Sequence, residues 1–392
     1  MYNIYCSLPK NREPWNIPLL ERKKLFFDAK SQGKRVAAML YHHADTSTFR
    51  YRCYNLFQAT QSSNLWQSIY FFAEEIEDLR SALPQCDLLI FVRMKWEHAL
   101  DELALDARKL AIPLLYDIDD LVCDLHYLKM VTNTLNVHFG SEVDYDFWFA
   151  YFSRMQQAAS LAEGFITTNA YLGSRLSERF QRPYQIIPNS LNREQLAVSE
   201  QCVKDKRRKT GRHPFTIGYF SGTPSHINDF KVVSAEFVQL LNDNPEMNLR
   251  VVGFMEFPDA MQPLIRQKRI VFTPLVDFLE LQRLMAEVDV SVVPLVSNTF
   301  TNCKSELKFF EASVVDTVTL ASPSYNYSRA IKDGETGFLC NSGQWYDRVI
   351  SVYQNPDKCK NIVNSAKEYC LQQYSGEVFI SQIEEAYSYF SK

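Results

Sequence analysis

The stretch DLLIFVRMKWEHALDELALDARKLAIPLLYDID, residues 87–119, decides the fold. Two short apolar runs, DLLIFVR (87–93) and PLLYDID (113–119), enclose EHALDELALDARKLA (97–111), whose apolar positions recur at helical spacing. Apolar runs of that length are strands buried on both faces, and a helix between two of them is the crossover of a parallel pair.

The same alternation extends outward. Upstream lie VAAMLYH (36–42) and WQSIYFF (66–72), with the helix-length FRYRCYNLFQAT between them; downstream lie GFITT (164–168) and YQIIP (184–188). The polar, basic segment CVKDKRRKTGRHP (202–214) reads as a surface linker or boundary loop. Beyond it the pattern restarts with FTIGYF (215–220), NLRVVGF (248–254), RIVFTPL (269–275), VDVSVVPL (288–295) and TVTLAS (317–322). The expectation is α/β: two Rossmann-like, doubly wound parallel-sheet domains facing a central cleft. The boundaries read as 1–196 and 197–375, followed by a helix at 376–392 that packs back toward the first domain. In that tail Phe379, Ile383, Ala386 and Phe390 fall about one turn apart.

At 392 residues the chain exceeds what one core organises. A composition of 46% apolar residues excludes disorder, and a net charge of -4 excludes a general nucleic-acid surface. Nine cysteines form no CxxC pair, which argues against structural zinc or a disulfide framework and fits a reducing cytoplasm. No secretory signal is expected in MYNIYCSLPKNREPWNIPLL, and runs such as LLIFV fall far short of the ~20 residues of a membrane span. The basic clusters ERKKLFFDAK (21–30) and KDKRRK (204–209) raise the idea of loose contact with an inner membrane face, against the equal alternative of solvated charge.

The chemistry concentrates in TNCKSELKFFEAS (301–313). Ser305 can cap a helix, freeing the backbone NH groups of Glu306, Leu307 and Lys308 for an anion. On such a helix Lys304, Lys308 and Glu311 share one face, suited to a diphosphate and a ribose, while Leu307, Phe310 and Val314 form the apolar face. A solvated face with a Lys308 to Glu311 pair is the bland alternative. The position after a strand of a second Rossmann-like unit favours function.

This segment resembles the donor motif of the retaining GT-B enzymes grouped as glycosyltransferase family four. That family's motif has two glutamates separated by seven residues. Glu311 matches the second, ribose-binding one, and Cys303 stands where the first would be. IIPNSLN (186–192) resembles the turn that closes the family's first domain, and IKDGETGFLC (331–340) a late structural element. GYFSGTPSHINDF (218–230) resembles the first strand and loop of the donor domain. The resemblance implies that Ser221, Gly222, Thr223 and His226 approach the diphosphate, together with Ser305, Glu306 and Leu307.

In the first domain, YHHADTSTFRYRCYN (41–55) opens toward the expected cleft. Arg50 and Arg52 can meet a phosphate or an acidic acceptor, and His42 or His43 can sit beside the transferred sugar. In YDIDD (116–120), Asp117 and Asp119 have the spacing of a divalent-metal pair, but the lysines offer a substitute for metal, so Asp119 or Asp120 is read as orienting the acceptor hydroxyl. The expectation is a metal-independent, cofactor-independent transferase, with Lys304 and Lys308 in catalysis. It moves a sugar from a nucleotide-diphosphate donor to a saccharide or lipid-linked glycan of the cell surface. An epimerase of the same fold and a non-catalytic nucleotide-sugar-binding subunit are the rivals.

Overall fold

The computed structural model describes residues 13–208, 213–222 and 227–391. Six parallel strands form the first sheet: β1 (Arg35–Tyr41), β2 (Trp66–Phe72), β3 (Leu88–Val92), β4 (Leu114–Ile118), β5 (Gly164–Thr167) and β6 (Tyr184–Ile186), in the order β2-β1-β3-β4-β5-β6. The second sheet is built from β7 (Phe215–Ser221), β8 (Met247–Gly253), β9 (Ile270–Thr273), β10 (Val290–Val293), β11 (Val318–Ala321) and β12 (Phe338–Leu339), in the order β12-β11-β10-β7-β8-β9. Every residue of β3, β4, β10 and β11 is buried, as helices on both faces require. β12 adds an edge strand inside IKDGETGFLC, which reads in sequence as a late structural element with no strand assigned to it.

Strand order reverses between β1 and β3 in one sheet and between β7 and β10 in the other. These switch points diverge the flanking loops and open a crevice at the carboxyl ends of the strands. His42, Arg93, Gly222 and Pro294 therefore stand where ligands of such sheets bind.

The boundary segment differs from its reading as a loop. A continuous helix, Arg193–Arg208, runs through Cys202 to Arg208, because helix-forming residues outweigh the charge density and Asn192 Oδ1 accepts from the Gln195 backbone NH at 2.8 Å. This helix packs on the second-domain helix Phe278–Ala286, where Gln282 Nε2 donates to Ser199 Oγ at 2.7 Å. Residues 209–212 lie outside the described residues.

The last helix, Gly376–Phe390, returns to the first domain. Phe379, Ile383, Ala386 and Tyr387 enter that domain's core, and Trp66 Nε1 donates to Ser388 Oγ at 3.0 Å. Phe278, Phe300 and Cys303 of the second domain join the same core, so apolar packing is continuous across the boundary. Among the described residues no helix is long and apolar enough to cross a membrane. The first basic cluster is largely neutralised on helix Leu19–Ser31: Arg22 is buried against Glu75, Lys23 pairs with Asp78 and Lys30 with Asp87.

Ile383→Ala should destabilise the protein by about 2–5 kcal/mol, the usual cost of a large-to-small change in a core. Urea unfolding checks it; a midpoint unchanged from wild type would mean that the returning helix is not part of the first-domain core.

Candidate functional site

On the second-domain side, β10 leads into Pro294 and Leu295 and then a short helix, Thr299–Cys303, capped by Asn298 Oδ1 on the Thr301 NH at 2.9 Å. The chain becomes extended at Lys304, and a seven-residue helix, Leu307–Ser313, follows. The helix expected to start at Ser305 thus begins at Leu307, and a separate short helix precedes it. Ser305 does not cap: its Oγ accepts from Asn189 Nδ2 at 3.0 Å, and Glu306 occupies the cap position. Lys304 consequently does not share a helix face with Lys308 and Glu311. Glu306 is also redirected, since its buried carboxylate accepts from Tyr374 OH at 2.8 Å and burial raises its pKa above the usual carboxylate range. Leu307 is partly buried against the cluster that holds Phe310 and Val314.

Lys304 Nζ lies 4.9 Å from the centre of the Phe300 ring and Lys308 Nζ 5.7 Å from that of Tyr219. Among the described residues neither forms a salt bridge. Burial pushes Lys308 down to about 8; Asp229 opposes this, Lys304 adds to it and Glu311 opposes it. A desolvated ammonium with no carboxylate in contact is poised for an anion that would replace its lost hydration. Ser221 is buried at the end of β7, and a side chain at the exposed Gly222 would meet nothing within 4 Å. Thr223 and His226 lie outside the described residues.

On the first-domain side, Asp45 Oδ1 accepts from the NH groups of Ser47 (2.7 Å) and Phe49 (3.2 Å), starting a helix whose next residues, Arg50–Tyr54, form a π-helical turn. All five are buried. Arg52 is therefore not an acceptor contact. Its guanidinium makes a two-pronged pair with Asp117, 2.8 Å at each prong, and donates to Ile187 O at 2.7 Å and Asn189 Oδ1 at 3.2 Å. Asp117 is equally lost as a metal ligand, being 1% exposed and engaged by that fork.

Arg50 too faces inward. It donates to Thr46 O at 2.8 Å and to Gln195 Oε1 at 3.0 Å, with its guanidinium 3.9 Å from the Tyr51 ring and 4.7 Å from that of Phe278. Glu311, expected as an open ribose acceptor, is 2% exposed. Its Oε1 accepts from Tyr51 OH and from Gln195 Nε2 at 3.0 Å, with Arg50 Nη2 at 3.6 Å.

Asp119 and Asp120 stay at the crevice. Arg93 Nη1 lies 2.7 Å from Asp119 and 3.4 Å from Asp120, and Thr48 Oγ1 donates to Asp119 at 2.9 Å. Arg93 has φ 46°, a left-handed backbone that non-glycine residues seldom adopt, and it turns the chain so that its side chain reaches those carboxylates. Sequence reading passed over it; a lone arginine closing an apolar strand was the available signal. His42 is half-buried and its Nε2 accepts from the Lys95 NH at 3.3 Å. Burial first, then Lys95, push its pKa down to about 4, so it is neutral at pH 7. His43 is exposed.

The two sides meet through asparagine amides: Asn169 Nδ2 to Cys303 O (2.7 Å), Asn189 Nδ2 to Ser305 Oγ (3.0 Å), Asn298 Nδ2 to Thr134 Oγ1 (2.9 Å) and Asn228 Nδ2 to Asn133 O (3.3 Å). Beside the last two lies a cavity of about 670 Å³ lined by both domains, including His126, Lys129, Asn133, Asn228 and Asn298. Sequence reading did not single out His126 or Lys129; nothing local in a helix-length segment indicates that it faces the other domain.

Residues 214–355, the second sheet and its helices, match the family described as glycosyl transferases group 1. No curated protein matches the sequence. Among solved structures, the Anabaena protein HepE in complex with UDP is similar with a TM-score of 0.59 at 13% identity, over 91% of this chain and 100% of that one. A glycosyltransferase from Rickettsia africae gives 0.61 at 11%, over 92% and 99%. The sucrose-phosphate synthase of Thermosynechococcus elongatus gives 0.57 at 14%, over 91% and 99%. The chain thus has the two-domain GT-B fold.

Removing Arg52 would strand Asp117 in the interior, and breaking a buried pair from one side costs about 3–5 kcal/mol. Arg52→Ala should therefore lower stability by that amount in chemical denaturation. A loss below about 1 kcal/mol, the range of surface pairs, would mean that the pair is solvated.

Proposed function

We propose that this chain is a retaining glycosyltransferase of family four that moves a sugar from a nucleoside-diphosphate donor to a saccharide acceptor, in the assembly of a cell-surface polysaccharide. The observation that carries the reading is Lys308: a half-buried cation at the crevice that forms no salt bridge among the described residues, inside the segment matched by the family. The HepE structures with UDP and with UDP-glucose support a nucleotide-sugar donor by analogy of fold.

In this mechanism the ammonium groups of Lys308 and Lys304 offset the charge that grows on the diphosphate as the glycosidic bond breaks. Asp119, held by Thr48 and Arg93, orients the acceptor hydroxyl. The reaction proceeds without a divalent metal: the lysines supply the positive charge, and one member of the Asp117 and Asp119 pair is committed to Arg52.

Lys308→Ala should reduce turnover by roughly 10²-fold, the scale set by removing one transition-state charge donor, while weakening nucleotide binding less. A folded variant with wild-type turnover and affinity would refute the donor-site assignment. Because Lys308 is pushed down to about 8, it is charged below that pH and neutral above it. Nucleotide affinity should therefore fall as pH rises from 7 to 9, and Lys308→Arg should flatten the fall; calorimetric titration across that range measures it. Transfer should also survive excess EDTA. Loss with chelator and recovery with Mn²⁺ would assign a metal to the reaction.

A further inference from the structure

Glu311 carries its hydrogen bonds unevenly. Tyr51 OH and Gln195 Nε2 both donate to Oε1, the Arg50 guanidinium approaches the same oxygen, and Oε2 takes no hydrogen bond among the described residues. The donors come from outside the helix that carries Glu311: Tyr51 and Arg50 from the first-domain π-helical turn, Gln195 from the helix that links the domains. A carboxylate oxygen offers two lone-pair directions, so Oε1 is saturated and only Oε2 remains for a further donor.

The amide of Gln195 is itself oriented. Its Oε1 accepts from Arg50 Nη1 at 3.0 Å, which directs Nε2 at Glu311. Arg50 is fixed in turn by Thr46 O and by two ring faces. An order of control follows: Arg50 sets Gln195, and Gln195 with Tyr51 sets Glu311. Such a shell of fixed partners is what holds a binding group in one geometry.

We infer that Arg50, Tyr51 and Gln195 are positioning residues for nucleotide recognition: they present Glu311 Oε2 as the single acceptor for one ribose hydroxyl of the donor. The inference rests on the reading of Glu311 as the ribose contact. Ribose recognition in the second domain then depends on side chains delivered by the first domain and the linker, so the nucleotide is bound fully only when the domains are together.

The test uses the full chain and calorimetric titration with UDP, 2′-deoxy-UDP, 3′-deoxy-UDP and 2′,3′-dideoxy-UDP, or the corresponding GDP set if UDP does not bind. Wild type should bind the ribonucleotide roughly ten- to a hundredfold more tightly than the dideoxy form, the worth of a hydrogen bond to a charged group. One monodeoxy analogue should account for nearly all of that loss. Equal losses for the two monodeoxy forms would overturn the single-acceptor geometry without any variant. Tyr51→Phe and Gln195→Met, checked for folding by thermal unfolding, should each shrink the ribo-to-dideoxy ratio several-fold while leaving dideoxy affinity near wild type. Folded variants that keep the wild-type ratio would overturn the positioning role and leave the donor site standing. A wild type that binds the nucleotide without ribose preference, or binds neither set, would remove the reading of Glu311 itself and this inference with it.

Discussion

The guanidinium of Arg52 is fully desolvated, and much of the molecule is arranged to satisfy it. Burying such an ion costs several kcal/mol unless its donors are met. Here the Asp117 carboxylate at the end of β4, the Ile187 carbonyl and the Asn189 side chain all turn toward one fork. The first sheet, the helix after β1 and the start of the linker are thereby fixed to each other. Asn189, held by that fork through its oxygen, uses its amide nitrogen on Ser305, so the constraint reaches the helix break beside the lysines. The π-helical turn makes this possible by keeping Arg50, Tyr51 and Arg52 all inside.

The fold was legible because buried parallel strands write themselves as uninterrupted apolar runs, and the helices between them keep their own period. The five second-domain runs and the six of the first domain all correspond to strands. The difference is local: the charge of residues 202–208 suggests a loop, although lysine and arginine are good helix formers and a long helix docked on a neighbour tolerates a charged outer face. β12, two residues long at a sheet edge, is too short for any periodicity to announce.

The site was legible in its address and less so in its detail. Glu311 does lie at the junction of the domains, against Tyr51 and Gln195, and Asp119 and Asp120 lie just past the end of β4, where strand order places the crevice. The roles given to Arg50 and Arg52 went astray for a physical reason. A basic residue after a strand is usually solvated, and only distant partners, Asp117 for Arg52 and Gln195 for Arg50, make burial affordable. The break at Lys304 is equally a tertiary effect, because Asn326 donates to the Lys304 carbonyl that a continuous helix would have used, while Asn189 holds the Ser305 hydroxyl away from a capping role.

The asparagine amides that join the domains carry no formal charge. Ionic strength screens charged contacts and leaves neutral hydrogen bonds almost untouched, so these links hold equally in dilute buffer and in concentrated salt. Each is worth only about 0.5–1.5 kcal/mol net. Four of them add a few kcal/mol on that scale to the apolar packing that already crosses the boundary, and so register one domain on the other. The part of the register that they set is therefore indifferent to the ionic strength of the medium.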